Sequence, residues 1–172
     1  MAEGAGGRRR IEPRVLDEAA WAPFGWLPVA DTDARDGQHR LAFAWDDAHV
    51  NLIGHRRDEV PSVDGALVCE MLYRHLTHTQ TLMVMDVPAV IAVAPPGTDL
   101  GTEDGAAAIT AFALRPLEPL VLHRGTWHWG PFPAAAEEVR LFNVQGLRYA
   151  EDNQRADLAP GRGALEVAVT GG

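Results

Sequence analysis

Short apolar runs, most of them five to seven residues long, recur along the chain between Gly, Pro and Asp: "WLPVA", "RLAFAW", "HVNLIG", "GALVCEMLYRH", "QTLMVMD", "AVIAVA", "AITAFAL", "LEPLVLH", "VRLFNV" and "ALEVAVT". Runs of this length, divided by turn residues, predict an all-β protein, mainly antiparallel, folded as a sandwich or barrel. In "QTLMVMDVPAVIAVAPPG" two strands meet at Asp86-Val87-Pro88, and the second stops at Pro95-Pro96-Gly97. Helical signal is confined to "LDEAAWAPFGW", a short helix with Asp17 as N-cap that ends before Pro23 or Gly25. Residues 97–108 read as a polar, solvated loop, and 149–163 as one helical turn after Asp152 or Asn153, broken by Gly161 and Gly163.

The opening "MAEGAGGRRR" is basic, but no apolar run follows it, so residues 1–10 are expected to be a disordered tail rather than a secretory signal. No repeat and no shift in composition divides the rest, and residues 11–170 are expected to form one domain.

Charge and composition narrow the chemistry. A formal net charge of −9 argues against nucleic acid as partner, although one or two arginines suffice to hold a small carboxylate. All 15 basic residues are arginine, which removes lysine nucleophiles, Schiff bases and covalent pyridoxal phosphate. "PPGTDLG" lacks the glycine pattern and lysine of a phosphate loop, so no nucleotide cofactor is expected. No stretch reaches 18 consecutive apolar residues, so no membrane span is expected. The single cysteine, Cys69, excludes an internal disulfide, reads as a small apolar core residue and points to a reducing, cytoplasmic setting.

Two segments gather the histidines: "YRHLTHTQ", residues 73–80, and "HRGTWHW", residues 123–129. Alternation along a strand puts Tyr73 and His75 on one face and Arg74 on the other, and a turn then leaves His78 and Thr79 at the barrel mouth. Trp127 and Trp129 point away from His128 and pack between sheets or across an interface. His39, His49 and His55 read as surface or sheet residues.

These two segments resemble, in degenerate form, the paired motifs of the cupin superfamily. Tyr73 and His75 stand at the two histidine positions of the first motif and Gln80 at its glutamate. His123, Gly125 and His128 stand at the proline, glycine and histidine of the second. Within the superfamily the chain is most similar to the ureidoglycolate lyase family, through "WAPFGWL", "RHLTHTQTLMVM", "RGTWHWGPFP" and "VRLFNV". Arg74, His75, Gln80, His123, Arg124, Trp127 and His128 match that family's motifs. Tyr73 departs from a glutamate, Leu76 from a proline and His78 from a small residue.

The resemblance implies a cupin-type double-stranded β-helix, a jelly-roll barrel with a short N-terminal helix, pairing as a homodimer. It implies a lyase of purine and allantoin catabolism that splits ureidoglycolate, a small polar carboxylate, into glyoxylate and urea. That reaction needs a base for the carbinol hydroxyl, an acid for the departing nitrogen and a clamp for the carboxylate. His75 and His128 are the expected proton carriers, in either order, with His123 and Tyr73 as further catalytic candidates. Gln80, Tyr73, His78 and Arg124 are the expected substrate contacts.

A competing reading is a metal-dependent cupin catalysing oxidation, isomerisation or hydrolysis, with one divalent ion on His75, Gln80, His128 and His78. His78 within coordination reach of both His75 and His128 would favour the metal. A barrel packed dry with bulky apolar side chains would instead indicate a non-catalytic binding module.

Overall fold

A computed structural model describes residues 8–158 and 164–169. The chain enters through β1 (Arg10–Ile11), β2 (Arg14–Val15), α1 (Glu18–Trp21) and β3 (Gly25–Trp26). The long β4 (Ala48–Arg56) follows, then β5 (Ser62–Val63), β6 (Ala66–Cys69), β7 (Met71–Arg74), β8 (Gln80–Val84) and β9 (Ala89–Ala94). After α2 (Glu103–Ala107) come β10 (Thr110–Leu114), β11 (Pro119–Leu122), β12 (Trp127–Pro133), β13 (Glu138–Gly146), β14 (Gln154–Asp157) and β15 (Leu165–Val167).

The strands form an all-β, mainly antiparallel barrel with two facing sheets in a jelly-roll layout. One wall is a six-stranded sheet in the order β14-β7-β12-β9-β10-β2, and the facing wall is five-stranded, β3-β11-β8-β13-β4. A smaller sheet, β1-β15-β6-β5, accompanies them. The consecutive strands β8 and β9 lie in opposite walls, so Asp86-Val87-Pro88 carries the chain across the barrel rather than closing a hairpin.

Alternation divides the apolar residues between two cores. Ile91, Val93, Phe112 and Leu114 of one wall meet Leu82, Leu120, Leu122 and Leu141 of the other inside the barrel, with Trp21 and Phe24 joining them. The opposite face of the six-stranded wall, with Ala92, Ala94, Trp127 and Trp129, packs against Leu67, Cys69, Leu165 and Val167 of the small sheet. With a core on each side, β9 is buried throughout, as its unbroken apolar sequence "AVIAVA" requires. Cys69 belongs to the second core, and burial pushes its thiol pKa up.

Asp17 caps α1 by accepting from Ala20 N at 2.9 Å. That short helix seats Trp21, whose Nε1 donates to the Val121 carbonyl at 3.0 Å. A Cβ on Gly25 would lie 1.7 Å from the same carbonyl oxygen, so glycine is required by the close approach of β3 to β11.

Several expectations are corrected. "RLAFAW" forms no strand; its only ladder contact is an isolated bridge between Phe43 and His78. The loop expected at 97–108 contains α2, capped by Thr102 Oγ1, which accepts from Gly105 N at 3.0 Å. The expected helical turn after Asp152 is replaced by β14, which pairs with β7; Gly161 and Gly163 lie outside the described residues. Of the tail expected over 1–10, residues 1–7 are outside the described residues. Arg9 and Arg10 are tied into the fold: the Arg9 carbonyl accepts from Glu166 N at 2.9 Å, and Arg10 opens β1.

Candidate active site

The barrel interior is apolar at one end and polar at the other. The polar end opens into a cavity of about 440 Å³ lined by Tyr73, His75, Gln80, His128, His55 and Gln145, among others. The barrel is therefore not packed dry.

His128 lies in β12 directly opposite Tyr73 of β7, so one register brings the two sequence motifs together. His75 follows β7, and Gly125 N donates to its carbonyl at 2.6 Å. Gly125 holds that turn at φ +82°, a left-handed conformation suited to glycine. The ring centroids of His75 and His128 are 5.4 Å apart.

The hydrogen bonds of His128 and Gln80 give each a free atom for chemistry. His128 Nδ1 lies 3.1 Å from the Thr126 carbonyl oxygen. In the neutral ring Nδ1 must therefore carry the proton and donate, which leaves Nε2 as the acceptor. Gln80 Nε2 donates to Asn143 Oδ1 at 2.9 Å and approaches Gln145 Oε1 at 3.4 Å, and Asn143 Nδ2 donates to Asn51 Oδ1 at 2.7 Å. This chain of carboxamides across β8, β13 and β4 leaves Gln80 Oε1 buried with no partner. A buried acceptor of that kind is costly until something donates to it.

Burial lowers the His75 pKa to about 3, and repulsion from His128 and His78 adds to the effect. Burial likewise lowers that of His128 to about 4. Both rings are neutral at neutral pH in the free protein, because desolvation disfavours the charged form.

His78 is 2% exposed, behind His75 rather than at the mouth, and it does not line the cavity. Its ring stacks on that of His75 with centroids 4.5 Å apart, and its Nδ1 is 3.8 Å from Asp152 Oδ2. Burial lowers its pKa against the pull of Asp152. Asp152 itself accepts from Thr77 N at 2.7 Å. Burial would raise its carboxyl pKa, but the Thr77 hydrogen bonds prevail and it is lowered. Donor atoms of His75, His78 and Asp152 lie within 4.8 Å of one another, a group able to hold a metal ion. His78 thus reaches His75, but Asp152 rather than His128 completes the cluster.

His123 and Arg124 fall outside the cavity. The His123 ring packs near Trp26 at 5.4 Å between centroids, and Arg124 is exposed on the turn before β12. Arg74, on the face opposite Tyr73 and His75, sets its guanidinium 4.3 Å from the Trp127 ring centroid and donates to Gln154 Oε1 at 2.9 Å.

Sequence reasoning missed His55, Asn51, Gln145, Asn143 and Asp152. The first two had a signal: in "HVNLIGH" the residues His49, Asn51, Ile53 and His55 alternate with exposed neighbours and share the face turned to the barrel interior. His55 Nδ1 lies 2.8 Å from the Pro131 carbonyl, which holds its ring at the cavity wall.

A family model described as ureidoglycolate lyase matches residues 8–161. No curated protein matches the chain. Among solved structures the chain is similar to an L-ribose isomerase of Cellulomonas parahominis in complex with L-ribose, at 14% identity and a TM-score of 0.41 over 73% of this chain and 65% of that one. It is also similar to a dTDP sugar isomerase from Desulfovibrio desulfuricans G20, at 13% identity and a TM-score of 0.48 over 81% and 89% of the two chains.

Proposed function

The chain belongs to the ureidoglycolate lyase family, and from that premise we propose that its barrel cavity cleaves a small carbinolamide carboxylate, ureidoglycolate being the substrate to test first. The observation that carries the reading is the pairing of His128, whose Nε2 is free to accept a proton, with His75 at 5.4 Å beside the unpartnered Gln80 Oε1.

In this mechanism His128 Nε2 takes the proton of the carbinol hydroxyl. The oxygen's electrons form the aldehyde C=O as the C–N bond breaks, and His75 delivers a proton to the departing urea nitrogen. Glyoxylate and urea together contain every atom of the substrate. A carboxylate bound in the cavity favours the protonated form of His75, against the burial that keeps it neutral in the free protein. Gln80 Oε1 accepts an N–H of the ureido group, and Tyr73 offers a hydroxyl at the cavity wall. After product release the proton on His128 passes to solvent, and both rings return to the neutral state they hold in the free protein.

A cytoplasmic location and a homodimer belong to the same proposal. No helix among the described residues is long and apolar enough to cross a membrane. Incubation with ureidoglycolate tests the reaction. Release of glyoxylate and urea in equal amounts above the spontaneous rate supports it; no release above that rate from folded protein sinks it.

A further inference from the structure

The cluster of His75, His78 and Asp152 lies beside the cavity, and the lyase reading uses only one of its members. We propose that these three side chains form a divalent first-row cation site, distinct from a set built on His75, Gln80 and His128 inside the cavity.

The donors come from two places in the chain: His75 and His78 from the turn between β7 and β8, and Asp152 from the loop before β14. The fold nevertheless brings one ligand atom from each within 4.8 Å of the other two. Two neutral imidazoles and a carboxylate are a donor set for zinc, cobalt or manganese, with coordination positions left open. The second observation is independent of that spacing. His75 Nδ1 and His78 Nε2 are both buried with no hydrogen-bond partner, on side chains 7% and 2% exposed. An orphaned nitrogen on a buried ring is costly, and a ligated ion removes that cost; on His78 it is Nδ1 that lies 3.8 Å from Asp152 Oδ2, so His75 Nδ1 is the orphan that gains from the ion. Asp152 is already held by Thr77, whose N–H and hydroxyl both donate to Oδ2, so the carboxylate is oriented from the side, as metal ligands usually are.

An ion on this site takes a lone pair of His75 and competes with the proton that the proposed lyase step asks it to deliver. That consequence rests on the lyase reading; the site itself does not.

The test uses full-length protein stripped with a chelator and titrated with Co²⁺ and Zn²⁺ by calorimetry, with Co²⁺ absorption as a second readout. One equivalent is expected to bind, with visible bands from nitrogen and oxygen ligation. His78→Ala and Asp152→Asn are each expected to weaken binding at least about tenfold, since even an outer-shell partner is worth that much. His128→Ala should keep the ion. Circular dichroism checks that each variant is folded, and His78→Gln replaces His78→Ala should the latter fail to fold. Absence of binding to folded wild-type protein overturns the proposal, as does wild-type affinity in the His78 and Asp152 variants or loss of the ion in His128→Ala. The lyase reading is judged separately, on product release by ion-free protein.

Discussion

His128 sits opposite Tyr73 in the sheet and 5.4 Å, ring to ring, from His75. Neither histidine bonds the other: His128 Nδ1 is engaged by the Thr126 carbonyl, and His75 Nδ1 has no partner. The two imidazoles are thus held close without bonding each other, the relationship on which the proposed chemistry depends.

Their burial has a consequence for stability. Both pKa values, about 3 and about 4, lie below the ordinary histidine value near 6.5. As pH falls below 6.5 the unfolded chain binds protons that the folded protein excludes, so stability is lost in the acid direction and is unaffected by these groups above pH 7. Between pH 7 and 5 each histidine is expected to cost about 2 kcal/mol. Urea denaturation at the two pH values checks this, and His128→Asn should reduce the difference by about half. A pH-independent unfolding free energy would contradict the assignment.

Asn143 is fully buried and accepts from Gln80 while donating to Asn51. Asn143→Ala leaves the Gln80 amide and the Asn51 carbonyl short of partners and is expected to cost about 1–3 kcal/mol in chemical denaturation. It should also raise KM for a ureido substrate, because the Gln80 carboxamide is no longer held in place at the cavity wall. Wild-type stability and KM in this variant would show that the carboxamide chain does not position Gln80.

Arg124 matches the family motif but is exposed outside the cavity. Arg124→Ala is therefore expected to leave steady-state turnover and KM unchanged. A large rise in KM would place a carboxylate clamp on this turn.

The sequence reveals the walls of the barrel better than its contents. "AVIAVA" and "QTLMVMD" could only be strands, and Asp17 announced α1 through its capping chemistry. The "RLAFAW" segment has the same apolar character yet forms no strand, because apolar content alone does not supply a neighbouring strand with which to pair. His75 and Gln80 were legible from alternation and motif together. Asp152 was not: it reaches His78 from 74 residues away in sequence, and "YAEDNQRAD" reads equally well as a polar turn. His78 was misplaced because the parity of a strand says nothing about a side chain beyond the turn that ends it.

The most direct test of the lyase account is the rate of glyoxylate and urea release from ureidoglycolate by wild-type protein, His75→Ala, His128→Ala and the double variant. Each single substitution is expected to lower kcat/KM by about 10²–10⁴, the usual contribution of a positioned acid or base. The double variant should be little worse than the poorer single, since the two groups act in one step. Single variants that keep wild-type turnover, or losses that simply multiply in the double variant, would contradict a shared role for His75 and His128.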